Sequence, residues 1–327
     1  MTTETTGRDT DTALGLVHEV ATRLTGAMRR VIEGKDEVIR TTVTVLFAGG
    51  HLLIEDVPGV GKTMLAKTLA RSIDATVRRI QFTPDLLPSD VTGVSVFNQD
   101  ARTFEFRPGA IFANVVVGDE INRASPKTQS ALLESMEERQ VTADGTTYRL
   151  PEPFIVMATQ NPIEMEGTYP LPEAQRDRFM ARISMGYPSP RAELDLLETH
   201  GARSPLESLQ PVTDAATVVA VTEAVRGVHA SPAIRQYIVD LVSRSRSSAA
   251  LRLGASPRAA LHLLRAARAH AALEGRDHVI PDDVQALAVA VLAHRLMPSS
   301  ETQLARRTTS EVVLELLRQT PVPPAAR

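Results

Sequence analysis

The segment at residues 56–63, DVPGVGKT, carries the residue types that bind the phosphates of a nucleotide. It follows the apolar run Leu52–Ile54, so it should connect a buried strand to a helix, where backbone N–H groups and the helix dipole favour an anion. Its glycines let the backbone approach that anion. Lys62 would pair with the β- and γ-phosphates, and the Thr63 hydroxyl would ligate Mg²⁺.

Asp56 departs from the pattern G-x-x-x-x-G-K-[ST], because it stands where that pattern has its first glycine. We nevertheless predict a phosphate loop here, with a glycine-rich turn that holds no ligand as the alternative. The residues predicted to surround the phosphates are Pro58, Gly59, Val60, Gly61, Lys62, Thr63 and Met64.

Two adjacent carboxylates, Asp119 and Glu120, end a second apolar run that begins at Val115. A carboxylate at the end of a buried strand is costly unless a cation or hydrogen bonds satisfy it. Asp119 would hold Mg²⁺ through water, and Glu120 would activate the attacking water as general base. A strand that ends in solvated acids is the alternative, which the upstream phosphate loop disfavours.

Two more residues could contact the nucleotide. Asn161 follows the apolar run Phe154–Met157, at the strand end where ligands collect in open α/β sheets, although Asn-Pro is also a common turn. In GASPR, Ser256 is predicted to cap a helix and Pro257 to begin it, which places Arg258 in an unfavourable first turn. A nearby anion would remove that penalty, so Arg258 could reach the nucleotide from a second domain; a solvated arginine is the alternative.

The elements that must position these residues follow from periodicity. Apolar residues at three- and four-residue steps over Leu14–Met28 predict an amphipathic helix. Apolar, β-branched runs, among them Val77–Phe82, alternate with helical patterns, as in a buried and mostly parallel sheet. Two polar hairpins are predicted at residues 94–106 and 140–149.

Strand signals vanish beyond Tyr187, and the remainder is rich in Ala, Leu and Arg at helical spacing. A chain of 327 residues suits two domains. We therefore predict an α/β nucleotide-binding domain at residues 1–188 and a helical domain with a short C-terminal tail at 189–327.

Composition narrows the class of protein. The chain is 43% hydrophobic and 23% charged with a net charge of −3, which is ordinary for a globular protein and disfavours direct nucleic-acid binding. It has no cysteine, which excludes disulfides, thiolate metal sites and a cysteine nucleophile. Without an apolar leader or a membrane-length apolar run, we expect a cytoplasmic protein with no membrane insertion.

Together these motifs resemble the MoxR branch of the AAA+ ATPases over nearly the whole chain. Besides the phosphate loop, the resemblance rests on QFTPDLLPSDVTG, GDEINRASPKTQSALLESMEE, ATQNPIEMEGTYPLPEAQRDRF and GASPR. Loops of this family commonly lack the first glycine, so Asp56 is compatible with a nucleotide site. The resemblance implies an AAA+ P-loop αβα sandwich with a mostly parallel sheet and a small all-α lid, with ATP and Mg²⁺ between them and subunits in a ring, usually a hexamer.

The resemblance also implies roles for single residues. Asn161 matches sensor 1, and Arg258 matches sensor 2 on the lid. Arg178 matches the arginine finger that a neighbouring subunit offers to the γ-phosphate, with Arg176 two residues away as the alternative. A guanidinium suits that role because it stays charged and binds phosphate oxygens bidentately.

Ile32 and Gly34 match the segment that lies against adenine. The two hairpins match the helix-2 insert and the pre-sensor-1 insert, which face the pore or the upper surface of the ring. Phe97, Phe104 and Phe106 could grip a client protein there, and packing within the hairpin's own sheet is the alternative.

The activity implied by the resemblance is ATP hydrolysis that drives chaperone-like remodelling or maturation of partner complexes. ATP binding would close the lid through Arg258. The implied partners are further copies of the chain, a protein with a von Willebrand factor A domain, and an unidentified client. A magnesium-chelatase-like ATPase subunit and a low-turnover regulatory or assembly module are the alternatives, and the charge disfavours a DNA-working relative.

Overall fold

A computed structural model places the predicted strands and helices in an α/β core with a helical lid. The structure describes residues 3–57, 59–161, 168–187, 194 and 205–324, and for residues 3–12 the backbone alone. The predicted domain boundary at residues 188/189 lies outside the described residues.

Eleven strands occur in the described part of the chain. They are β1 (Leu52–Glu55), β2 (Val77–Gln81), β3 (Gly93–Asn98), β4 (Thr103–Pro108), β5 (Val115–Asp119), β6 (Gln140–Ala143), β7 (Thr146–Arg149), β8 (Ile155–Gln160), β9 (Ala181–Ile183), β10 (Leu251–Leu253) and β11 (Met297–Pro298). Five of them form the central sheet in the order β2-β5-β8-β1-β9, and every pairing in it is parallel.

The helices surround that sheet. They are α1 (Thr3–Arg29), α2 (Asp36–Phe47), α3 (Lys62–Ser72), α4 (Pro88–Thr92), α5 (Pro126–Glu138), α6 (Glu173–Arg176), α7 (Pro205–Ser208), α8 (Ala215–Arg226), α9 (Pro232–Ser247), α10 (Pro257–Leu273), α11 (Pro281–Leu292), α12 (Ser300–Leu304) and α13 (Thr309–Gln319). Two short 3₁₀ turns, Ile121–Arg123 and Ala293–Arg295, follow β5 and α11.

The central strands are apolar because both of their faces are covered. Val115 and Val117 of β5 belong to a cluster with α1–α3 and the lid helices, whereas Val116 belongs to a second cluster with α5. The lid therefore shares one hydrophobic core with a face of the sheet. Strand β2 was expected to be buried like the other apolar runs, and this expectation is wrong. The strand lies at the edge of the sheet, where Val77 is 39% exposed.

Both predicted hairpins form. In β3–β4, Phe97 pairs opposite Phe104, and both rings stay exposed, at 49% and 74%. Phe106 instead stacks on Tyr148 of β7 with ring centroids 3.9 Å apart, so it joins the two hairpins to each other. Of the three phenylalanines, Phe97 and Phe104 are the ones available to another protein.

The lid begins its α10 helix as the sequence predicts. The Ser256 hydroxyl accepts a hydrogen bond from Ala259 N at 3.1 Å, and Pro257 is the first helical residue. Gly254 is required because a Cβ there would come within 2.6 Å of the Arg246 backbone. The lid is helical as expected, and it also contains a small antiparallel ribbon of β10 and β11.

None of the described helices combines the length and the apolar character that crossing a membrane requires.

A buried carboxylate holds the lid together. Asp283 is 1% exposed and accepts two hydrogen bonds from Arg276, at 2.5 and 2.7 Å, and one from Ile280 N at 2.8 Å. His270 Nδ1 lies 2.7 Å from the same carboxylate. Burial alone would raise the pKa of Asp283, but Arg276 and His270 outweigh it and lower the pKa to about 2.

We expect Asp283→Asn to lower the free energy of unfolding at pH 7 by about 3 kcal/mol, the lower end for a buried ion pair, because Arg276 stays partly exposed. Since folding depresses this pKa, the stabilisation is complete above the ordinary value of 3.8 and is lost as the pH falls towards 2. Urea unfolding at pH 7, 4 and 3 checks both points. The exposed Asp240→Asn is the control, and an Asp283→Asn chain as stable as wild type at pH 7 would contradict the assignment.

Candidate nucleotide site

The phosphate loop lies between β1 and α3 at the carboxyl edge of the sheet. Gly61, with φ 93°, is the cap residue that precedes α3, and Gly59 has φ 84°; both conformations favour glycine. Val60 packs against the core, and Met64 is 36% exposed on the first turn of α3. Pro58 lies outside the described residues. The helix therefore begins where backbone N–H groups can face phosphates.

Lys62 starts α3, and its Nζ donates a hydrogen bond to the Asp56 carbonyl at 2.8 Å. The ammonium thus lies over the loop, within reach of the anion that the loop is shaped to bind. The loop geometry and the lysine together fit the phosphates of ATP.

The Asp56 side chain is part of the framework of the loop. It is 8% exposed, and its carboxylate accepts hydrogen bonds from Val57 N at 2.9 Å, Ser184 Oγ at 3.0 Å and Gly186 N at 2.7 Å. Burial raises the pKa of Asp56, but these hydrogen bonds outweigh burial and hold the pKa below its ordinary value. Asp56 therefore ties the start of the loop to the segment that follows β9, which a glycine could not do.

The predicted metal residues face each other across the sheet edge. Thr63 Oγ1 lies 3.4 Å from Asp119 Oδ2, and Thr159 Oγ1 donates to Asp119 Oδ1 at 3.1 Å. Arg79 of the edge strand donates to Asp119 Oδ2 at 2.5 Å. Asp119 is 6% exposed and accepts hydrogen bonds at both oxygens, so its carboxylate is fixed in orientation. Thr63 and Asp119 fit an Mg²⁺ ion whose other ligands are phosphate oxygens and water.

Glu120 leaves the end of β5 with φ 57°, a left-handed conformation that is uncommon for a residue with a side chain. Its N–H donates to Thr159 Oγ1 at 2.9 Å, so one threonine orients both carboxylate residues. Gln81 donates to Glu120 Oε2 at 2.9 Å, and Arg123 lies 3.3 Å from the same oxygen. This geometry holds the Glu120 carboxylate beside Asp119, where a general base would act.

Asn161 is buried, 6% exposed, directly beyond the end of β8. Its neighbour Gln160 accepts a hydrogen bond from Asp56 N at 3.2 Å, so Asn161 lies beside the start of the phosphate loop. The structure thus brings Asn161 to the same sheet edge as Lys62, Asp119 and Glu120. Its role as a sensor stays a prediction.

The predicted adenine segment is the connection between α1 and α2. Ile32 is 6% exposed, and Gly34 has φ 66°. Lys35 Nζ donates to the Tyr187 carbonyl at 2.9 Å, which ties this connection to the segment after β9. The contact of Ile32 and Gly34 with adenine stays a prediction.

Arg178 and Arg258 are bound to one carboxylate. Arg178 Nε lies 3.1 Å from Glu137 Oε2, and the Arg258 guanidinium binds Oε1 of the same residue. Arg176, the alternative finger, makes no ion pair with the described carboxylates. Glu137 lies near the end of α5, and it lines one cavity together with Gly50, which precedes β1. The two arginines therefore lie at the amino edge of the sheet.

The expectation that Arg258 reaches a nucleotide stays a prediction, and in this structure Arg258 does not lie beside the phosphate loop of its own chain. The phosphate loop follows β1 at the carboxyl edge, whereas Arg258 lies near the residues that precede β1. The reason is a tertiary contact: the Ser256 hydroxyl is 2.9 Å from both carboxylate oxygens of Asp177, and Arg295 donates to Asp177 Oδ1 at 2.8 Å. These bonds attach the start of α10 to the segment before β9.

Several residues of the site have no sequence signal of their own. Gln81 and Thr159 lie inside two of the motifs that carry the family resemblance, and those motifs are their sole sequence signal. Arg79 reaches Asp119 because β2 pairs with β5. Glu137 and Asp177 become apparent only when the lid is placed.

Two family profiles match the chain. The profile of the ATPase family associated with various cellular activities (AAA) matches residues 51–181, which include the phosphate loop and the carboxylate pair. The profile of the AAA lid domain matches residues 243–316, which include GASPR. The two matches follow the order of the core and the lid in the structure.

Relatives resemble the chain along almost its whole length. It is 49% identical to the uncharacterized protein YeaC of Bacillus subtilis, covering 94% of this chain and 96% of YeaC. It is 41% identical to Chaperone MoxR1 of Mycobacterium tuberculosis, covering 94% and 84%, and 33% identical to Protein MoxR of Methylorubrum extorquens, covering 92% and 93%. The crystal structure of a candidate ATPase from Cytophaga hutchinsonii has a TM-score of 0.89 at 36% identity, covering 97% and 99%.

Replacing Asp56 tests its structural part in the loop. We expect Asp56→Gly, which restores the pattern's glycine, to weaken nucleotide affinity about tenfold, because the loop loses charged hydrogen bonds to Ser184 and Gly186. Titration with a fluorescent ATP analogue measures the change. Ser184→Ala should give a smaller loss, since it removes one of those bonds. If Asp56→Gly bound nucleotide as tightly as wild type, the Asp56 carboxylate would not be needed to hold the phosphate loop in its binding conformation.

Replacing Thr159 tests the orientation of the two carboxylates. We expect Thr159→Val to lower kcat for ATP about 10- to 100-fold with little change in ATP affinity, because Asp119 and Glu120 lose their shared partner. Steady-state kinetics with a binding titration separates the two quantities. Thr320→Val is the matched control, because Thr320 is a buried threonine at the end of α13 whose hydroxyl donates to the Leu316 carbonyl one turn earlier. An unchanged kcat in Thr159→Val would refute the assignment.

Proposed function

This chain belongs to the MoxR family of AAA+ ATPases, and we propose that each of its ATP sites is completed by arginines of a neighbouring subunit in a ring. The observation that carries the proposal is the attachment of Arg178 and Arg258 to Glu137 at the amino edge of the sheet. ATP hydrolysis would then depend on assembly and would drive chaperone-like remodelling or maturation of partner protein complexes.

Within one chain, the carboxyl edge supplies the binding and hydrolytic groups. Lys62 and the loop N–H groups bind the phosphates, and Thr63 and Asp119 hold the metal. Mg²⁺ would neutralise phosphate charge that builds up during transfer. Glu120 takes the proton of the attacking water, and Asn161 orients that water from the neighbouring strand end.

The arginines are suited to act on another chain. This is supported by their position within one subunit, where the sheet lies between them and the phosphate loop and Asp177 holds the start of α10. In a ring, the face that carries them would meet the phosphate loop of the next subunit. The phosphates there would compete with Glu137 for Arg178 and Arg258, which stay charged and can bind oxygens bidentately.

A continuous path leads from the site to the exposed hairpin. Gln81, which binds Glu120, is the last residue of β2, and α4 connects that strand end to β3. Phe97 and Phe104 form an exposed T-shaped pair on this hairpin, with ring centroids 5.3 Å apart. A change in the Glu120–Gln81 contact during hydrolysis would move the hairpin, so this pair is the proposed contact with a client protein.

The finer assignments rest on the resemblance. A hexameric ring, a cytoplasmic location and a partner with a von Willebrand factor A domain are proposed because members of this family typically have them. The chaperone-like role is supported by the name of the relative Chaperone MoxR1. A low-turnover regulatory module is the competing function.

We expect ATP turnover per subunit to rise with protein concentration and to fall at least about 100-fold in both Glu120→Gln and Arg178→Ala, while ATP still binds. Steady-state hydrolysis with Mg²⁺ across a concentration series checks this, alongside a binding titration of each variant. Arg318→Ala, an exposed arginine of α13, is the control. If assembled wild type bound ATP without turning it over, the low-turnover function would replace this proposal, and full activity of Arg178→Ala would refute the shared site.

A further inference from the structure

A cavity of about 520 Å³ lies where the lid meets the amino edge of the sheet. Among the described residues, five arginines and one carboxylate line it: Arg139, Arg178, Arg226, Arg258, Arg265 and Glu137. Its size is in the range of small-molecule sites. The cavity is separate from the phosphate loop, which follows β1 at the other edge of the sheet.

The charges of this cavity are unevenly compensated. Glu137 is shared by Arg178 and Arg258, and Glu223 pairs with Arg226 at 2.7 Å. Arg139 and Arg265, the junction arginines, have no carboxylate within 4.0 Å among the described residues. Neither guanidinium therefore has a carboxylate at salt-bridge distance, and the carboxylate that acts on Arg139 from farther away is Glu152.

The junction arginines also lie close together. Arg139, which follows α5 in the core, donates to the Gly49 carbonyl at 2.8 Å, and Arg265 of the lid helix α10 donates to the same carbonyl at 3.1 Å. Both are partly buried. Burial lowers the pKa of each guanidinium. At Arg139 the Glu152 carboxylate opposes this effect and Arg226 adds to it, whereas Arg139 and then Arg226 lower the pKa of Arg265 further. Like charges that share one acceptor away from water repel each other, so an anion placed between them would be stabilised.

The histidines of the cavity add no positive charge. Burial lowers the pKa of His51 to about 3 and that of His262 to about 2. His51 already has protein partners at both ring nitrogens, Met136 O at 3.1 Å and Val156 N at 3.0 Å. The charge offered to a ligand is therefore that of the arginines.

We infer that this cavity binds a phosphate-bearing ligand through the junction arginines. A tetrahedral anion with several acceptor oxygens matches two planar guanidinium forks, and each fork can bind two oxygens. A longer oligophosphate would reach from the junction arginines to Arg258. Because Arg139 belongs to the core and Arg265 to the lid, the bound anion would fix the two against each other. The phosphate could belong to a free metabolite or to the nucleotide of a neighbouring subunit.

The test uses the full chain with Lys62→Ala, which disables the phosphate loop, and inorganic tripolyphosphate without Mg²⁺ as the probe. We expect calorimetric binding with a rise in Tm, weakened about tenfold or more when Arg139→Gln and Arg265→Gln are added. We expect the exposed Arg226→Gln to fold normally and to lose less affinity for tripolyphosphate. Arg318→Gln should lose none of that affinity. Absence of binding to Lys62→Ala, or affinity that is the same with and without the junction arginines, would overturn the inference.

Dilution distinguishes the two sources of phosphate. Equal tripolyphosphate affinity in dilute single chains and in assemblies supports the cavity as a site for a free phosphorylated ligand. Displacement of tripolyphosphate when ATP-loaded wild-type chains are added supports it as a site for a neighbour's nucleotide. The dilute arm needs no ring, so tripolyphosphate binding there would stand even if the shared ATP site proposed above failed.

Discussion

Parallel pairing of β5, β8 and β1 is the constraint on which the rest of the site depends. It gathers the carboxyl ends of all three strands at one edge, so the phosphate loop, Asp119 and Asn161 meet without any long connection. The same pairing sends the amino ends to the opposite edge. The cationic groups attached there by Glu137 lie at the edge opposite the phosphate loop of their own chain, and the proposed complete site would need a second subunit.

Two carboxylates, one buried and one partly buried, attach each edge of the sheet to neighbouring segments. Asp56 ties the phosphate loop to the segment after β9. Asp177, in the segment before β9, attaches the start of the lid helix α10. Each is stabilised by several hydrogen bonds, and that explains why a charge is tolerated so close to a core. Since β9 lies between these two attachments, a shift of the lid would reach the phosphate loop through a short strand.

Local signals predicted much of this architecture. Apolar runs located β1, β2, β5 and β8 of the central sheet but not β9, and Ser256-Pro257 correctly predicted the start of α10. The location of Arg258 could not be predicted, because it depends on how the lid packs and on Asp177, which is far away in the sequence. For the same reason the sequence gives no sign that Asp56 binds Ser184, or that Thr159 orients two residues on another strand. Strand β2 was expected to be buried, and only the order of strands shows it to be an edge.

The claim that one site is built from two subunits is tested most directly by mixing two inactive variants. Chains with Glu120→Gln keep their arginines, and chains with Arg178→Ala keep their carboxylates. The account predicts that an equal mixture regains ATP hydrolysis, with about a quarter of the interfaces pairing an intact Glu120 with an intact Arg178. A mixture that assembles but stays as inactive as its two components would contradict the shared site.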